Sequence, residues 1–351
     1  MKITLTKTKK VKPDYGKLGF GKYMSDHMLV MDYADGAWGD AEIIPYGDFN
    51  IDPATQILHY GQGIFEGLKA YKTHDGKITL FRPRDNFIRM NNSANRLCMP
   101  ALDIDKVLDA LYELVKVEED WIPTAEGTSL YIRPAMYCSN VFLGVKSGTK
   151  YRFFIAVCPV GAYYENGLAP TKIFIEDFYT RSSIGGTGEA KCIGNYAASL
   201  IGQEKAHKLG YDQALWLDAK DKKYIEEVGA MNIFFVIGDT VVTPALSGSI
   251  LPGITRDSAL KVLKKNGYKV EERKISVDEL VAAQNSGELR EMFGTGTAAV
   301  ISPVGEFTYK DEKYTVGNGQ MGKITGFLYD TITGIQKGKI EDTFGWVIKI
   351  K

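Results

Sequence analysis

The stretch Gly185-Gly186-Thr187-Gly188-Glu189-Ala190-Lys191-Cys192-Ile193-Gly194-Asn195-Tyr196 decides how this chain is read. Glycines crowd the approach to a single lysine, and a tyrosine follows a helical turn and a residue later. Glycine lets backbone pass close to a ligand and take positive φ without strain. A lysine beside such backbone, with aromatic neighbours, is partly desolvated, and desolvation turns an ammonium group into a usable nucleophile. Taken alone, this window reads as a solvated surface lysine in a glycine-rich turn. It is not a P-loop, which needs Gly-Lys-Ser/Thr where Ala190-Lys191-Cys192 stands. Nor is it a dinucleotide fingerprint, which needs a third glycine at the place of Lys191. Its meaning comes from the rest of the chain.

With 351 residues the chain has room for a large core and more than one domain. Lys+Arg and Asp+Glu balance at 43 each, so no net field draws nucleic acid or an acidic membrane. Neither partner is expected. Cys98, Cys138, Cys158 and Cys192 are scattered without a CxxC, which argues against a disulfide framework and for a reducing, cytoplasmic location. His27, His59, His74 and His207 show no metal-ligand spacing, and no metal is expected. The start Met1-Lys2-Ile3-Thr4-Leu5 shows no signal peptide, and no apolar run reaches membrane-spanning length.

Working outward, the first twenty or so residues read as an arm, followed by a strand over 28–33 that turns at Asp35-Gly36 into a second strand through Ile43-Ile44. The run Leu58-His59-Tyr60-Gly61-Gln62-Gly63-Ile64-Phe65-Glu66-Gly67 again has glycine spacing suited to backbone lying against something. A strand over 78–81 leads to Pro83, which opens a helix carrying Phe87, Met90, Ala94 and Leu97 on one face, with Arg84, Arg89 and Arg96 on or beside it. A second amphipathic helix is expected over 105–118, then strands over 129–138 and 152–158. Alternation in the first of these puts Tyr131 and Arg133 on one side. Glycine, proline and aromatics without periodicity mark 161–170 as the best boundary.

Beyond it come a strand over 172–176, the lysine stretch, a helix over 195–209, and strands over 214–217, 224–228 and 231–237. Pro252-Gly253-Ile254-Thr255 opens a helix whose first amides suit an anion. After a helix over 277–284 and an extended run over 288–293, Gly294-Thr295-Gly296-Thr297-Ala298-Ala299 reads as a second phosphate-cradling turn. The last helix is expected over 324–336. The chain thus offers one lysine in a close-backbone setting, two phosphate-type elements, and a carboxylate, Glu227, before a turn. A phosphorylated aldehyde with a basic ring nitrogen, pyridoxal 5′-phosphate, uses all of them.

At this point the chain resembles the branched-chain amino acid aminotransferases of the fold-type IV pyridoxal-phosphate family over nearly its whole length. The motifs that carry the resemblance are Tyr60-Gly61-Gln62-Gly63-Ile64-Phe65-Glu66-Gly67, Phe81-Arg82-Pro83 with Arg89, and Leu130-Tyr131-Ile132-Arg133-Pro134. They continue with Lys191 and Gly194-Asn195-Tyr196, Glu227-Val228-Gly229-Ala230-Met231-Asn232, Leu251-Pro252-Gly253-Ile254-Thr255-Arg256, and Phe293-Gly294-Thr295-Gly296-Thr297-Ala298.

The resemblance implies an α/β (α+β) two-domain fold, with a small N-terminal domain at 1–160, a loop at 161–171, a large C-terminal domain at 172–351, and the cofactor between them. It implies ping-pong transamination between L-leucine, L-isoleucine or L-valine and 2-oxoglutarate. Lys191 is then the Schiff-base lysine and proton shuttle, Tyr196 hydrogen-bonds the ring hydroxyl oxygen, and Glu227 pairs with the ring nitrogen. Arg89, Ile254, Thr255 and Thr297 hold the phosphate. Phe20, Tyr60, Phe65, Tyr131, Ala230 and Ala298 line the substrate pocket, and Arg133 takes the distal carboxylate of glutamate. Leu143, Val145 and Tyr163 complete the pocket of the other subunit of a homodimer. Some animal members carry a redox CxxC where Ala299 and Ser302 stand, so thiol regulation of that kind is not expected. A D-amino acid aminotransferase or an aminodeoxychorismate lyase shares Lys191 and Glu227, but Tyr60-Gly61-Gln62-Gly63 and Tyr131-Ile132-Arg133 match the branched-chain pattern. A nucleotide-binding protein is disfavoured by the incomplete phosphate-loop patterns.

Overall fold

The computed structural model describes residues 1–161 and 168–350, which fall into two compact units. The first comprises residues 1–165, 190–193 and 334–351, and the second 166–189 and 194–333.

In the first unit a mostly antiparallel sheet runs in the order Lys2–Ile3, Glu42–Pro45, His27–Ala34, Tyr151–Val160, Ser129–Cys138, Leu68–Lys72, Ile78–Phe81, Val347–Ile350. Ala37–Trp38 pairs with His27–Ala34 across a two-residue turn in which Asp35 and Gly36 both take positive φ (52° and 83°), the geometry that Asp-Gly favours. Helix Pro83–Arg96 starts on proline at a position that needs no N–H. Helix Ile104–Val117 is capped by the Asp103 carboxylate, which accepts from the Lys106 amide at 3.2 Å. Phe87, Met90 and Ala94 of one helix and Leu108, Leu111 and Leu114 of the other are buried with Leu29, Leu80, Leu130 and Ile155 of the sheet. This is the core that holds the strands carrying Phe65, Tyr131 and Arg133.

In the second unit, strands Ile225–Val228, Gln213–Leu217, Thr171–Glu176, Val300–Tyr309, Leu289–Gly296 and Met231–Ile237 pair in that order, and the last pairs back to the first, closing a ring. Phe234 and Phe293, both fully buried, stack at 5.2 Å where two of these strands pair. Helix Ile193–Lys208 follows the lysine, and helix Ile254–Lys265 begins directly after Pro252-Gly253.

Two expectations are corrected. Residues 190–193 and 334–351 belong to the first unit rather than to a continuous domain from 172. Cys192 bridges Ile64, and Val347–Ile350 pairs with Ile78–Phe81 as an edge strand. Gly294-Thr295-Gly296 is not a turn: it finishes strand Leu289–Gly296, and the turn begins at Thr297. A Cβ on Gly294 would meet Met231 Cε at 2.8 Å, so the glycine serves strand packing. Thr240–Thr243, Lys269–Glu272, Glu312–Thr315 and Val347–Ile350 are short strands that the sequence reading does not name.

Candidate active site

The first unit gathers the predicted lysine with several of the predicted pocket residues. Lys191 is fixed by its backbone: its N–H donates to Ser93 Oγ at 2.9 Å and its carbonyl accepts from the Phe65 N–H at 3.0 Å. Its side chain is half-buried, with Nζ 4.8 Å from the centroid of the Phe65 ring. Beneath it lies Glu66, fully buried, which takes both a 2.8 Å bond from Arg89 Nε and a 2.8 Å bond from Arg89 Nη2. Asn86 Nδ2 (2.8 Å) and the Gly67 N–H (3.1 Å) complete the acceptor set. Burial pushes the Glu66 carboxyl up, but the charge and hydrogen bonds of Arg89 and the charge of Lys191 outweigh it and hold the group below the usual range. Arg89, expected as a phosphate ligand, therefore has Nε and Nη2 committed to Glu66.

Arg133 lies on the same side of its strand as Tyr131, as alternation requires, and donates from Nη2 to the Tyr131 hydroxyl at 3.0 Å. Its guanidinium sits 4.6 Å from the centroid of Phe65, the ring that also faces Lys191. Arg133 Nε is buried and has no hydrogen-bond partner among the described residues. Phe20 packs edge-on against Tyr131 at 4.8 Å. Gly67 makes room for the Tyr131 hydroxyl, since a Cβ there would come within 2.2 Å of it. Tyr60 is partly exposed, and its hydroxyl donates to the Leu143 carbonyl of the same chain. Leu143 and Val145 are exposed. Tyr163 lies outside the described residues.

The second unit gathers another set. Glu227 is buried, 2.6 Å from Arg181 Nη1, and accepts from Asn232 Nδ2 at 3.2 Å. Asn232 also donates to the Leu251 carbonyl at 2.9 Å, which ties the carboxylate to the segment before Gly253. Asn232 is the strand neighbour of both Glu227 and Thr295. The Thr295 hydroxyl is buried without a partner among the described residues. Thr255 is buried at the start of its helix, where Gly253 offers no side-chain cap. Thr297 and Ala298 lie half-buried in the turn after Gly296, and Ala230 is exposed in the turn after Val228. Tyr196 is half-buried on its helix beside Asn195, which grips the glycine-rich turn by accepting from Thr187 Oγ1 at 2.6 Å and donating to the Thr187 carbonyl at 2.7 Å. Gly188 is there for close approach: a Cβ on it would meet the Ser249 carbonyl at 2.0 Å.

Sequence reasoning singled out neither Glu66, Arg181, Ser93 nor Lys69 as site residues. Glu66 stands inside a quoted motif, and its role shows only once Arg89 folds onto it. Lys69 is buried directly opposite Tyr131 in the sheet, and burial together with the charge of Lys337 lowers its amine to about 7. A separate cavity of about 630 Å³ in the first unit, bounded by Met31, Trp38 and Val107, includes none of the predicted residues.

The chain belongs to the amino-transferase class IV family, whose profile matches residues 63–307. It is 53% identical to the branched-chain-amino-acid aminotransferase 2 of Bacillus subtilis (strain 168) over 351 residues, covering 100% of this chain and 97% of that protein. The crystal structure of the Escherichia coli branched-chain amino acid aminotransferase is similar with a TM-score of 0.78 and 28% identity, over 93% of this chain and 99% of that one. A T.th. branched-chain amino acid aminotransferase, solved complexed with N-(5'-phosphopyridoxyl)-L-glutamate, has a TM-score of 0.74 and 26% identity, over 92% of this chain and 98% of that one.

Proposed function

We propose that this chain is a branched-chain amino acid transaminase, moving the amino group reversibly between L-leucine, L-isoleucine or L-valine and 2-oxoglutarate with pyridoxal 5′-phosphate. The observation that carries the reading is the single ring of Phe65, which has the Lys191 amine at 4.8 Å and the Arg133 guanidinium at 4.6 Å. An amine able to carry a proton, aromatic walls suited to an aliphatic side chain, and one cation for a second carboxylate meet at that ring. Such a pocket accepts both leucine and glutamate, the two kinds of donor the reaction needs.

The residues fit the cofactor on their own chemistry. The buried Thr295 hydroxyl, without a partner among the described residues, and the helix start at Thr255, where Gly253 offers no side-chain cap, suit a phosphorylated group held against backbone. When bound, pyridoxal phosphate supplies an aldehyde for the amino group and a pyridinium that stabilises negative charge at the substrate Cα.

The protein's part is proton handling and orientation. Lys191 moves the proton at the substrate Cα, and Tyr196 donates to the ring oxygen. Glu227, 2.6 Å from the Arg181 guanidinium, would pair with the ring nitrogen. The amides of Ile254 and Thr255, with Thr297 and Arg89, would hold the phosphate. Phe20, Tyr60, Phe65, Tyr131, Ala230 and Ala298 exclude water from the aliphatic side chain. A homodimer in the cytoplasm, in which Leu143, Val145 and Tyr163 serve the partner's pocket, completes the proposal.

The test is an assay of L-leucine, L-isoleucine, L-valine and D-alanine as donors to 2-oxoglutarate. The three branched L-amino acids should be turned over and D-alanine should not, and Lys191→Ala should retain cofactor while losing turnover. Preference for D-alanine, or substantial turnover in Lys191→Ala, would sink the proposal.

A further inference from the structure

The first twenty-odd residues are anchored far more firmly than an arm needs to be. Asp26, His27, Glu118 and Trp121 are all buried, at 6%, 3%, 1% and 2% exposure. His27 Nε2 accepts the Thr6 amide at 2.8 Å, and a backbone amide can only donate. That fixes the tautomer: the proton sits on Nδ1, which donates to Glu118 Oε1 at 2.5 Å. The other Glu118 oxygen takes the Asp26 amide at 3.1 Å. Asp26 in turn accepts from Trp121 Nε1 at 2.9 Å and from the Lys10 amide at 2.7 Å. The end of helix Ile104–Val117 and the residues just after it thus hold two backbone amides of the arm through a closed set of buried polar groups. Such groups are costly unless satisfied, and here each partner satisfies another.

Past these anchors the arm runs to the pocket. Leu18 is 2% exposed, and the Gly19 carbonyl accepts the Gly161 amide at 3.0 Å. Phe20 and Met24 pack on the cluster of Tyr131, Cys158 and Val160, and Tyr131 is the residue that holds Arg133. The Ser25 amide, donating to the Val157 carbonyl at 3.0 Å, brings the chain back into the sheet just before the anchors.

We propose that His27, Glu118 and Asp26 are positioning residues for substrate specificity: they clamp the arm over residues 6–24 so that Phe20 stands as a fixed wall against Tyr131. The inference rests on the reading of Phe20 and Tyr131 as pocket wall. None of the three anchoring side chains is assigned to substrate or cofactor, so they act on aliphatic binding through the arm.

The experiment compares wild type with His27→Ala, His27→Gln and Thr6→Pro. Thr6→Pro removes the same bond from the arm's side and leaves the buried groups intact. Two readouts are taken together: amide hydrogen exchange over residues 4–24, and KM and kcat for L-leucine. In His27→Ala and Thr6→Pro the arm amides should exchange about tenfold faster or more, with the sheet strands unchanged. KM for L-leucine should rise about five- to tenfold with kcat within about twofold, the signature of lost uniform binding. His27→Gln, whose side-chain amide can accept from Thr6 and donate to Glu118, should restore both values. Arm exchange unchanged in Thr6→Pro, or a released arm with unchanged KM, overturns the proposal. Absence of leucine turnover in the wild type would instead bring down the transaminase reading, and with it the specificity role. Arm exchange would then still report whether the clamp exists.

Discussion

At the scale of single residues, the charges of Glu66 and Arg133 near Phe65 are met in different ways. Glu66 is wholly buried and its acceptors are filled by Arg89, Asn86 and the Gly67 amide, so Glu66→Gln takes away the negative charge that Arg89 Nε and Nη2 face. Breaking a buried pair in this way costs about 3–5 kcal/mol. Because the folded carboxyl is held below its ordinary value of 4.5, its contribution is fully present above that pH and is lost as pH falls through the folded value. Urea unfolding of wild type and Glu66→Gln should show a constant stability gap from neutral pH down to the ordinary carboxylate range, then a narrowing gap below it. A gap that stays constant deep into acid would contradict the assigned direction. Arg133 has the opposite character: its Nε is buried and unpartnered among the described residues, so it has a donor to spare for a ligand carboxylate. Hydrogen bonds to a charged group are worth about 1.5–3 kcal/mol. Arg133→Met should therefore raise KM for 2-oxoglutarate about 10- to 100-fold while moving KM for L-leucine by less than about threefold. Equal losses for both substrates would mean that Arg133 supports the pocket wall rather than the distal carboxylate.

At the scale of elements, the sequence shows most clearly where periodicity and turn chemistry agree. Pro83 and Asp35-Gly36 mark the starts of a helix and a hairpin, and both elements form. Less legible were the strands whose reason for existing is a distant partner. Val347–Ile350 carries a lysine and little alternation, and pairs only because Ile78–Phe81 offers an edge. Val300–Tyr309 contains Pro303 and Gly305 yet is buried for most of its length, with Thr171–Glu176 on one side and Leu289–Gly296 on the other. Among the candidate residues, Lys191 and Glu227 stood out because glycines lie close by in sequence (Gly188 and Gly194; Gly229), whereas Glu66 and Arg181 are recognised only by partners remote in the chain. The glycine-rich stretch shows the same division. Its spacing signalled close backbone approach, but not that the approached atom is the Ser249 carbonyl. A Cβ on Gly188 would stand 2.0 Å from that oxygen and 2.2 Å from Ser182 Oγ. Since one obstacle is backbone, Gly188→Ala forces the turn to move. Overpacking of this kind costs about 1–3 kcal/mol. A chain of 351 residues shifts its melting temperature by about 1–2 °C per kcal/mol. Calorimetry should therefore show Gly188→Ala melting about 1–5 °C lower, while Gly185→Ala is strained by its positive φ of 78° alone. Wild-type melting in Gly188→Ala would show that the turn is not held as tightly as the contact implies.

At the scale of the whole molecule, an apolar loop is both exposed and tied down by hydrogen bonds. Val141, Phe142, Leu143 and Val145 are 59%, 44%, 61% and 85% exposed. A mobile loop of that composition would call for no explanation, but this one is fastened along its length. Asn140 Oδ1 accepts the Thr149 and Lys150 amides at 2.8 Å each, and Gln56 Nε2 donates to the Gly144 and Lys146 carbonyls at 3.0 and 3.2 Å. The Tyr60 hydroxyl adds the Leu143 carbonyl. Ordering a loop costs conformational entropy, and holding apolar side chains out in water recovers none of it. The arrangement makes sense if a second copy covers the loop, as proposed for the homodimer. Light scattering should then give twice the chain mass at micromolar concentration, and Val145→Asp, which places a charge among these side chains, should shift the enzyme toward monomer and raise KM for L-leucine. Tyr60→Phe, which frees the Leu143 carbonyl without adding charge, should weaken the dimer less. A monomeric wild type with full leucine turnover would show that the loop serves no partner pocket. A dimer unaffected by Val145→Asp would place the interface elsewhere on the chain.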